Sequence, residues 1–417
     1  MNKKVSSEKS KVLIETYGKP VAFKLVCVAV GFLNSVLINR CLGVALRGEY
    51  TVITNWASFI QLFLNLGVGT AYPAFKRKDP QNSKRIFSTI TAVMGAIYLL
   101  ITLVLIPFVN AQNRYILLLA TITTIENLLI YIAIVEDVTK RNVINVLTSI
   151  IHAIVLVAVL FLYKRNLNAV MVAILFDHLL LCTSFACLYR IHEFDIKCIN
   201  REIAISIFRI AIPAMLMNML MYLNYHADIL FLGYLVDDTV EIGLYGTAVT
   251  LGNMLWIIPD AFKDVLFNRA AKKDNPQEIL LAILCNFMLC VVVLFGFIIL
   301  GRSFLRIMYG QEYVAAYPLV LLLFVGTLPM ILYKLIHPIY IANGNTKVVV
   351  TLLGVAVAIN IVGNIALIPQ FKGVGAAVSS VISYSICGIA FFVKFEKDYN
   401  VNLKHLFLSF KGKRLTK

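Results

Sequence analysis

The chain has 417 residues, of which 60% are hydrophobic and only 14% charged, and its mean hydropathy is +0.84. That composition excludes a water-soluble domain and makes a bilayer the solvent. The net charge of +16 would suggest nucleic acid in a soluble protein; here the excess of Lys and Arg on cytoplasmic loops explains it, and no nucleic-acid partner is expected.

Residues 1–19 read as a basic cytoplasmic tail (Lys3, Lys4, Lys9, Lys11, Lys19). The first apolar run has no small-residue cleavage site after it, so it reads as a retained helix and not a signal peptide. Spans 1 to 6 are predicted at about 20–40, 50–75, 86–109, 114–135, 143–163 and 168–189. The polar stretch Arg190–Glu202 is the longest connection and the natural boundary between lobes. Spans 7 to 12 follow at about 204–235, 241–267, 278–300, 314–341, 348–369 and 374–393, and residues 394–417 form a second basic tail. The domain reading is therefore a six-helix lobe over 20–190, a linker over 191–203, and a second six-helix lobe over 204–393. About 240 positions in twelve spans leave only short loops and no extramembrane domain.

The two lobes repeat one plan. Thr139-Lys140 stands 207 positions before Thr346-Lys347, and Asn166-Leu167-Asn168-Ala169-Val170 stands where Gly373-Val374-Gly375-Ala376-Ala377 stands in the second lobe. A repeat of half the chain points to homologous membrane lobes with the working site between them. Most of the 38 Lys and Arg fall in the tails and in the loops after the even-numbered spans. The opposite loops hold Arg40, Arg47, Arg114, Lys164, Arg165, Arg302, Arg306 and Lys372, and one of them carries Asp237, Asp238 and Glu241. This bias places both termini in the cytoplasm. The eight Cys form no CxxC and mostly lie in apolar spans, as small packing residues do.

Several ionisable residues interrupt the apolar spans: Glu126, His152, Asp177, His178, Asp228, Lys334 and His337. Each charge at mid-bilayer costs roughly 2.5–3.5 kcal/mol, so Glu126, Asp177, Asp228 and Lys334 facing lipid would together cost on the order of 10–14 kcal/mol. They must face a wet cavity, pair with one another, or sit neutral. Asp177 beside His178 also reads as a local hydrogen-bonding pair. Asp260, Lys263 and Asp264 read as a local salt-bridge cluster, and Lys24 and Arg209 as interfacial anchors. Lys334 and His337, three apart on one helix, read either as a basic strip facing a cavity or, for Lys334, as a side chain snorkelling to the interface. There is no GxxxxGK[ST] loop, HExxH, GxSxG or paired-Cys metal site, so neither an ATP motor nor an enzyme of those classes is expected.

Several short motifs occur in a telling order. They are Leu42-Gly43 with Arg47-Gly48-Glu49-Tyr50; Leu66-Gly67-Val68-Gly69-Thr70; Ile210-Ala211-Ile212-Pro213; Asp228 with Leu232-Gly233 and Gly243-Leu244-Tyr245; Ile258-Pro259; and Ile368-Pro369 with Gly373-Val374-Gly375-Ala376-Ala377. Together they resemble the Wzx-type polysaccharide transporters, the lipid-linked oligosaccharide (O-antigen) flippases of the multidrug/oligosaccharidyl-lipid/polysaccharide exporter superfamily. The two extra spans of the superfamily's peptidoglycan-precursor branch have no room here. The resemblance implies an all-α membrane protein of about 12 spans, with two pseudo-symmetric lobes around a central cavity. It implies a transporter, not an enzyme, that moves polyprenyl-diphosphate-linked oligosaccharide across the bacterial inner (plasma) membrane for O-antigen, capsule or exopolysaccharide assembly, alongside other polysaccharide-assembly proteins.

An anionic diphosphate calls for a cationic lining, and the candidates for the substrate site are Lys334, His337 and Arg40, with Asp228 at the position the resemblance marks. Glu126, Asp177 and Asp228 are candidates for coupling to a proton or sodium gradient; no other cofactor and no metal site is expected. The alternatives are a cation-coupled multidrug exporter of the same superfamily and a membrane-embedded polymerase or transferase of the same pathway.

Overall fold

A computed structural model describes residues 19–163, 165–189, 191, 194–195, 198–260, 262–263 and 276–400, with the backbone alone for 19–25. Most of both basic tails, Lys24's side chain, Asp264 and the loop cations Arg269, Lys272 and Lys273 lie outside this description. The helices are α1 (Lys19–Asn65), α2 (Tyr72–Lys78), α3 (Ser83–Leu105), α4 (Ala111–Glu136), α5 (Val138–Leu162), α6 (Leu167–Leu188), α7 (Arg201–Leu235), α8 (Thr239–Leu255), α9 (Pro276–Met308), α10 (Tyr317–Ala342) and α11 (Thr346–Tyr399), with short 3-10 turns at Val68–Ala71, Ile106–Phe108 and Gln311–Ala316. Among the described residues the regular structure is entirely helical.

Among the described residues ten helices are long and apolar enough to cross a bilayer, and two of these are double: α1 breaks at Gly43 and α11 at Lys372. Counting each half brings the spans to twelve, in a multi-pass membrane protein. The sequence reading placed a turn, Leu42–Tyr50, between spans 1 and 2; the helix does break within that stretch, but at one residue alone, Gly43 at φ 70°. A side chain there would meet the steric penalty of the left-handed region, which glycine escapes. Span 2 also ends sooner than expected, at Asn65, and its predicted tail becomes the 3-10 turn and α2.

The expected repeat has a backbone counterpart. Arg165 and Lys372 stand 207 positions apart, and both take positive φ, 59° and 48°. Each sits just before the small- or polar-residue start of a helix. Asn166 caps α6 by accepting from the Ala169 N–H at 3.1 Å, satisfying a donor that the first turn leaves open.

The chain forms two compact units, one of Met1–Leu46 with Ile53–Asn218, the other of Arg47–Val52 with Met219–Lys417. The division falls inside α7 and gives six residues of α1 to the second unit. Unit 1 has a core of Tyr72, Phe87, Ile132, Phe185, Ile207 and Ala211. Its outward faces are apolar too: Leu103 on α3 and Phe161 on α5 are exposed, as are Phe295 and Ile299 on α9 of unit 2. Apolar side chains on both faces are what a helix set solvated by lipid requires.

Candidate functional site

In unit 2 two buried polar clusters interrupt the packing. The first surrounds Lys334 of α10, whose side chain is 9% exposed. Its Nζ donates to both carboxylate oxygens of Asp260, at 3.0 and 3.1 Å. The ammonium also lies 4.4 Å from the Trp256 ring centroid and 5.6 Å from that of Tyr225, where the ring faces attract a cation. Tyr225, Trp256 and Tyr384 contact one another edge-on or tilted, so the three rings form one wall. Lys263 approaches the same carboxylate at 3.3 Å. The salt-bridge cluster read around Asp260 is thus present for Lys263, and its main partner is Lys334, 74 positions away. Lys334 does not snorkel: it is held by an acid and aromatic faces, and lies eight residues, about 12 Å, from the end of α10.

His337 does not join it in a basic strip. Its ring stacks on Tyr333 at 4.5 Å, and its Nδ1 lies 3.0 Å from the Tyr333 carbonyl oxygen. Arg40 is exposed and belongs to unit 1, whereas Lys334, His337 and Asp228 belong to unit 2.

The second cluster surrounds Asp228 of α7, 1% exposed. Its carboxylate accepts from the Tyr245 hydroxyl, from Ser380 Oγ at 2.9 Å and from the Ile229 N–H at 2.8 Å. Two polar residues of one sequence motif, Asp228 and Tyr245, therefore meet in space. The network continues along α11: Asn360 Nδ2 donates to Ser380 Oγ at 3.4 Å, and Asn364 Nδ2 donates to Asn360 Oδ1 at 2.8 Å. Ser383 approaches Asn224 Oδ1 at 3.2 Å. Asn360, Asn364, Ser380 and Ser383 are all fully buried, and Asn364 Oδ1 and Asn224 Nδ2 have no partner. Buried polar atoms of this kind are normally satisfied. The carboxylate thus meets two hydroxyls and a backbone N–H directly, and the amides of Asn360 and Asn364 only by way of Ser380. The asparagines were missed in sequence; their signal is the i, i+4 spacing of Asn360 and Asn364 inside an apolar span.

Arg47 was also read only as a turn residue. It is 6% exposed, its Nη2 donates to Thr250 Oγ1 at 3.0 Å, and its guanidinium lies 4.5 Å from the Tyr50 centroid.

In unit 1 the candidate acids are each paired with a histidine. Glu126 Oε2 lies 2.5 Å from His178 Nδ1, and Asp177 Oδ2 lies 3.0 Å from His152 Nδ1. Asp177 and His178 do not pair with each other, as their adjacency suggested: neighbours on a helix point about 100° apart, so one reaches α5 and the other α4.

A sequence-family model described as "Polysaccharide biosynthesis protein" matches residues 22–267, and one described as "Lipid II flippase MurJ" matches residues 263–416. None of the curated proteins matches the chain by sequence. The fold is similar to that of a lipid II flippase MurJ in an inward closed conformation, with TM-score 0.73, 14% identity, and coverage of 93% of this chain and 89% of that one. It is also similar to an inward-facing multidrug resistance MATE transporter of the MOP superfamily, with TM-score 0.68, 13% identity and coverage of 89% and 94%. A Vibrio cholerae MATE transporter aligns at TM-score 0.55 and 14% identity over 96% and 99% of the two chains.

Proposed function

Since the chain belongs to the polysaccharide biosynthesis protein family of the multidrug/oligosaccharidyl-lipid/polysaccharide exporter superfamily, we propose that it is a flippase for polyprenyl-diphosphate-linked oligosaccharide. It would act in the bacterial plasma membrane with both termini cytoplasmic, working by alternating access as a transporter and not a catalyst.

The observation that carries this reading is Lys334. A buried lysine in a membrane helix is expensive, and here its Nζ lies against the Asp260 carboxylate beside a wall of three aromatic rings. The ammonium matches a diphosphate, and the rings offer flat faces to a sugar. His337 and Arg40 remain secondary candidates for the same cargo. Asp228, with Ser380, Asn360 and Asn364, would hold a coupling sodium ion or proton, the bound cation changing the relative stability of the conformers. The buried acids would equally serve a cation-coupled drug exporter, and the likeness of fold to MATE transporters keeps that reading open.

The test uses proteoliposomes loaded with labelled polyprenyl-diphosphate oligosaccharide and a membrane-impermeant glycosidase outside. Protein-dependent exposure of the inner pool, reduced in Lys334→Ala that remains folded and inserted, supports the reading. No exposure, with efflux of a cationic dye from the same vesicles, supports the drug exporter. Full activity of Lys334→Ala removes that residue from the site.

A further inference from the structure

Lys372 alone separates two antiparallel limbs of α11. The helix turns there and returns alongside itself, so that Ser379 Oγ donates to the Asn360 carbonyl at 2.9 Å and Ser383 Oγ to the Ala356 carbonyl at 2.8 Å. The turn sets Lys372 at φ 48° and ψ −128°. A side chain tolerates positive φ only where ψ is also positive, about +30 to +60°. Glycine takes the observed conformation freely, and lysine takes it under strain. The break in α1 does use a glycine, Gly43; in α11 the glycine is one position late, at Gly373.

Two acids at the start of α8 hold this turn. Lys372 Nζ donates to Asp238 Oδ2 at 3.3 Å, and the Gly373 N–H donates to Glu241 Oε1 at 3.1 Å. Asp238 also caps α8, accepting from the Val240 and Glu241 N–H groups. With side-chain exposures of 54% and 44%, the Lys372–Asp238 pair is weak and breaks readily. The repeat-related corner of unit 1 is tied in another way. There Arg165, at φ 59°, gives its backbone N–H to the Cys41 carbonyl at 2.7 Å. A main-chain bond does not depend on side-chain charge; in unit 2 carboxylates take its place.

The tie joins the same two elements as the Asp228 cluster. Of the two hydroxyls that Asp228 accepts from, Tyr245 is on α8 and Ser380 on the returning limb of α11. Tyr245 follows Glu241 by four residues, about 6 Å of helix, and Ser380 follows Gly373 by seven, about 10 Å. A Cβ built on Gly373 would lie 3.6 Å from the Tyr245 ring.

We propose that the Lys372 turn is a strained latch: Asp238 and Glu241 hold it closed, and its release lets the α11 hairpin move against α7 and α8 and open the Asp228 cluster. Strain at Lys372 favours the open form, because a turn lengthened by fraying lets the residue relax. The two carboxylate ties favour the closed form. A weak tie set against strain keeps the two forms close in free energy, as a hinge that must move in every cycle requires. The link to transport rests on the flippase reading; the latch itself does not.

The first measurement is double electron–electron resonance on the full chain in nanodiscs, with nitroxides placed at Tyr234 of α7 and Ile389 of α11, both exposed. An unnatural amino acid carries them, since the chain has eight native Cys. Asp238→Asn combined with Glu241→Gln is expected to shift the distance populations toward the open form about tenfold. Lys372→Ala, which keeps the strain and loses the tie, should shift them the same way. Lys372→Gly, which loses both, should lie about fivefold or more toward the closed form relative to Lys372→Ala. Identical distributions in Lys372→Gly and Lys372→Ala overturn the latch, and this comparison decides if the double variant does not fold. The second measurement uses Gly373→Cys with Glu241→Cys, whose oxidation ties the turn shut. Glycosidase-detected flipping is expected to fall about tenfold or more and to return with reductant, with oxidised wild type as the control. Flipping unaffected by the cross-link removes the latch from the transport cycle. Shifted distances with no flipping in wild type would leave the latch standing and sink the flippase reading.

Discussion

Replacing Asp260 by Asn leaves the Lys334 ammonium in place and takes away its counter-ion. With the charges about 3 Å apart, the attraction is about 5 kcal/mol at an effective dielectric of about 20. Desolvation of the two groups offsets part of this, and Asp260, 31% exposed, keeps some contact with solvent. The nearer aromatic face, that of Trp256, retains about 2 kcal/mol of cation–π attraction in the variant. Asp260→Asn is therefore expected to cost about 3 kcal/mol. Lys334→Met should cost only about 1 kcal/mol, because the remaining carboxylate keeps Lys263 and partial hydration. The double variant should cost about 2 kcal/mol, less than the two together, so the cycle reports a coupling of about 2 kcal/mol. Urea unfolding in mixed micelles, followed by the fluorescence of the two tryptophans, reads it, since Trp256 lies against the pair. A coupling below about 0.5 kcal/mol would refute the claim that Asp260 offsets the cost of burying Lys334.

A Cβ built on Gly388 of α11 would collide with the Pro329 carbonyl of α10, so Gly388→Ala should destabilise by about 1–3 kcal/mol. Gly354→Ala, with nothing within 4 Å of the new carbon, should be neutral or mildly stabilising; melting temperatures in detergent compare them, and equal effects would argue against the close approach. Asp228→Asn is expected to abolish stimulation of flipping by a cation gradient, about tenfold or more, while downhill flipping persists in the glycosidase assay. Asp238, in the turn before α8, is held below the ordinary carboxylate value by the Glu241 N–H and then by Lys372. Asp137, capping α5, is held below it by the Lys140 N–H. A depressed carboxylate stabilises the fold above its unfolded value and loses that contribution as pH falls through the folded one. Thermal stability should therefore drop below about pH 4, and less so in Asp137→Asn and Asp238→Asn, as melting curves at several pH values would show.

The spans were legible because hydropathy is a local property: each apolar run must be solvated by lipid whatever its neighbours are. The breaks at Gly43 and Lys372 fell where the Leu42-Gly43 and Pro369–Gly373 stretches marked turns. That the break at Gly43 takes only one residue out of helical conformation was not legible, since a single positive-φ residue and a longer turn leave similar residues behind.

By itself the sequence determined an all-helical membrane chain of repeated halves, its motif residues, and the list of ionisable groups that lipid could not accommodate. Which of those groups meet was decided only by tertiary structure. Composition says that Glu126, Asp177 and Lys334 need partners, but the partner depends on helix rotation and on which helices pack side by side. One residue's shift around α6 separates a bond to α4 from a bond to α5, and Lys334 finds Asp260 across 74 positions. Asn360 and Asn364 were silent for the same reason: an amide in an apolar span means little until the fold places it against Ser380 and, through it, Asp228.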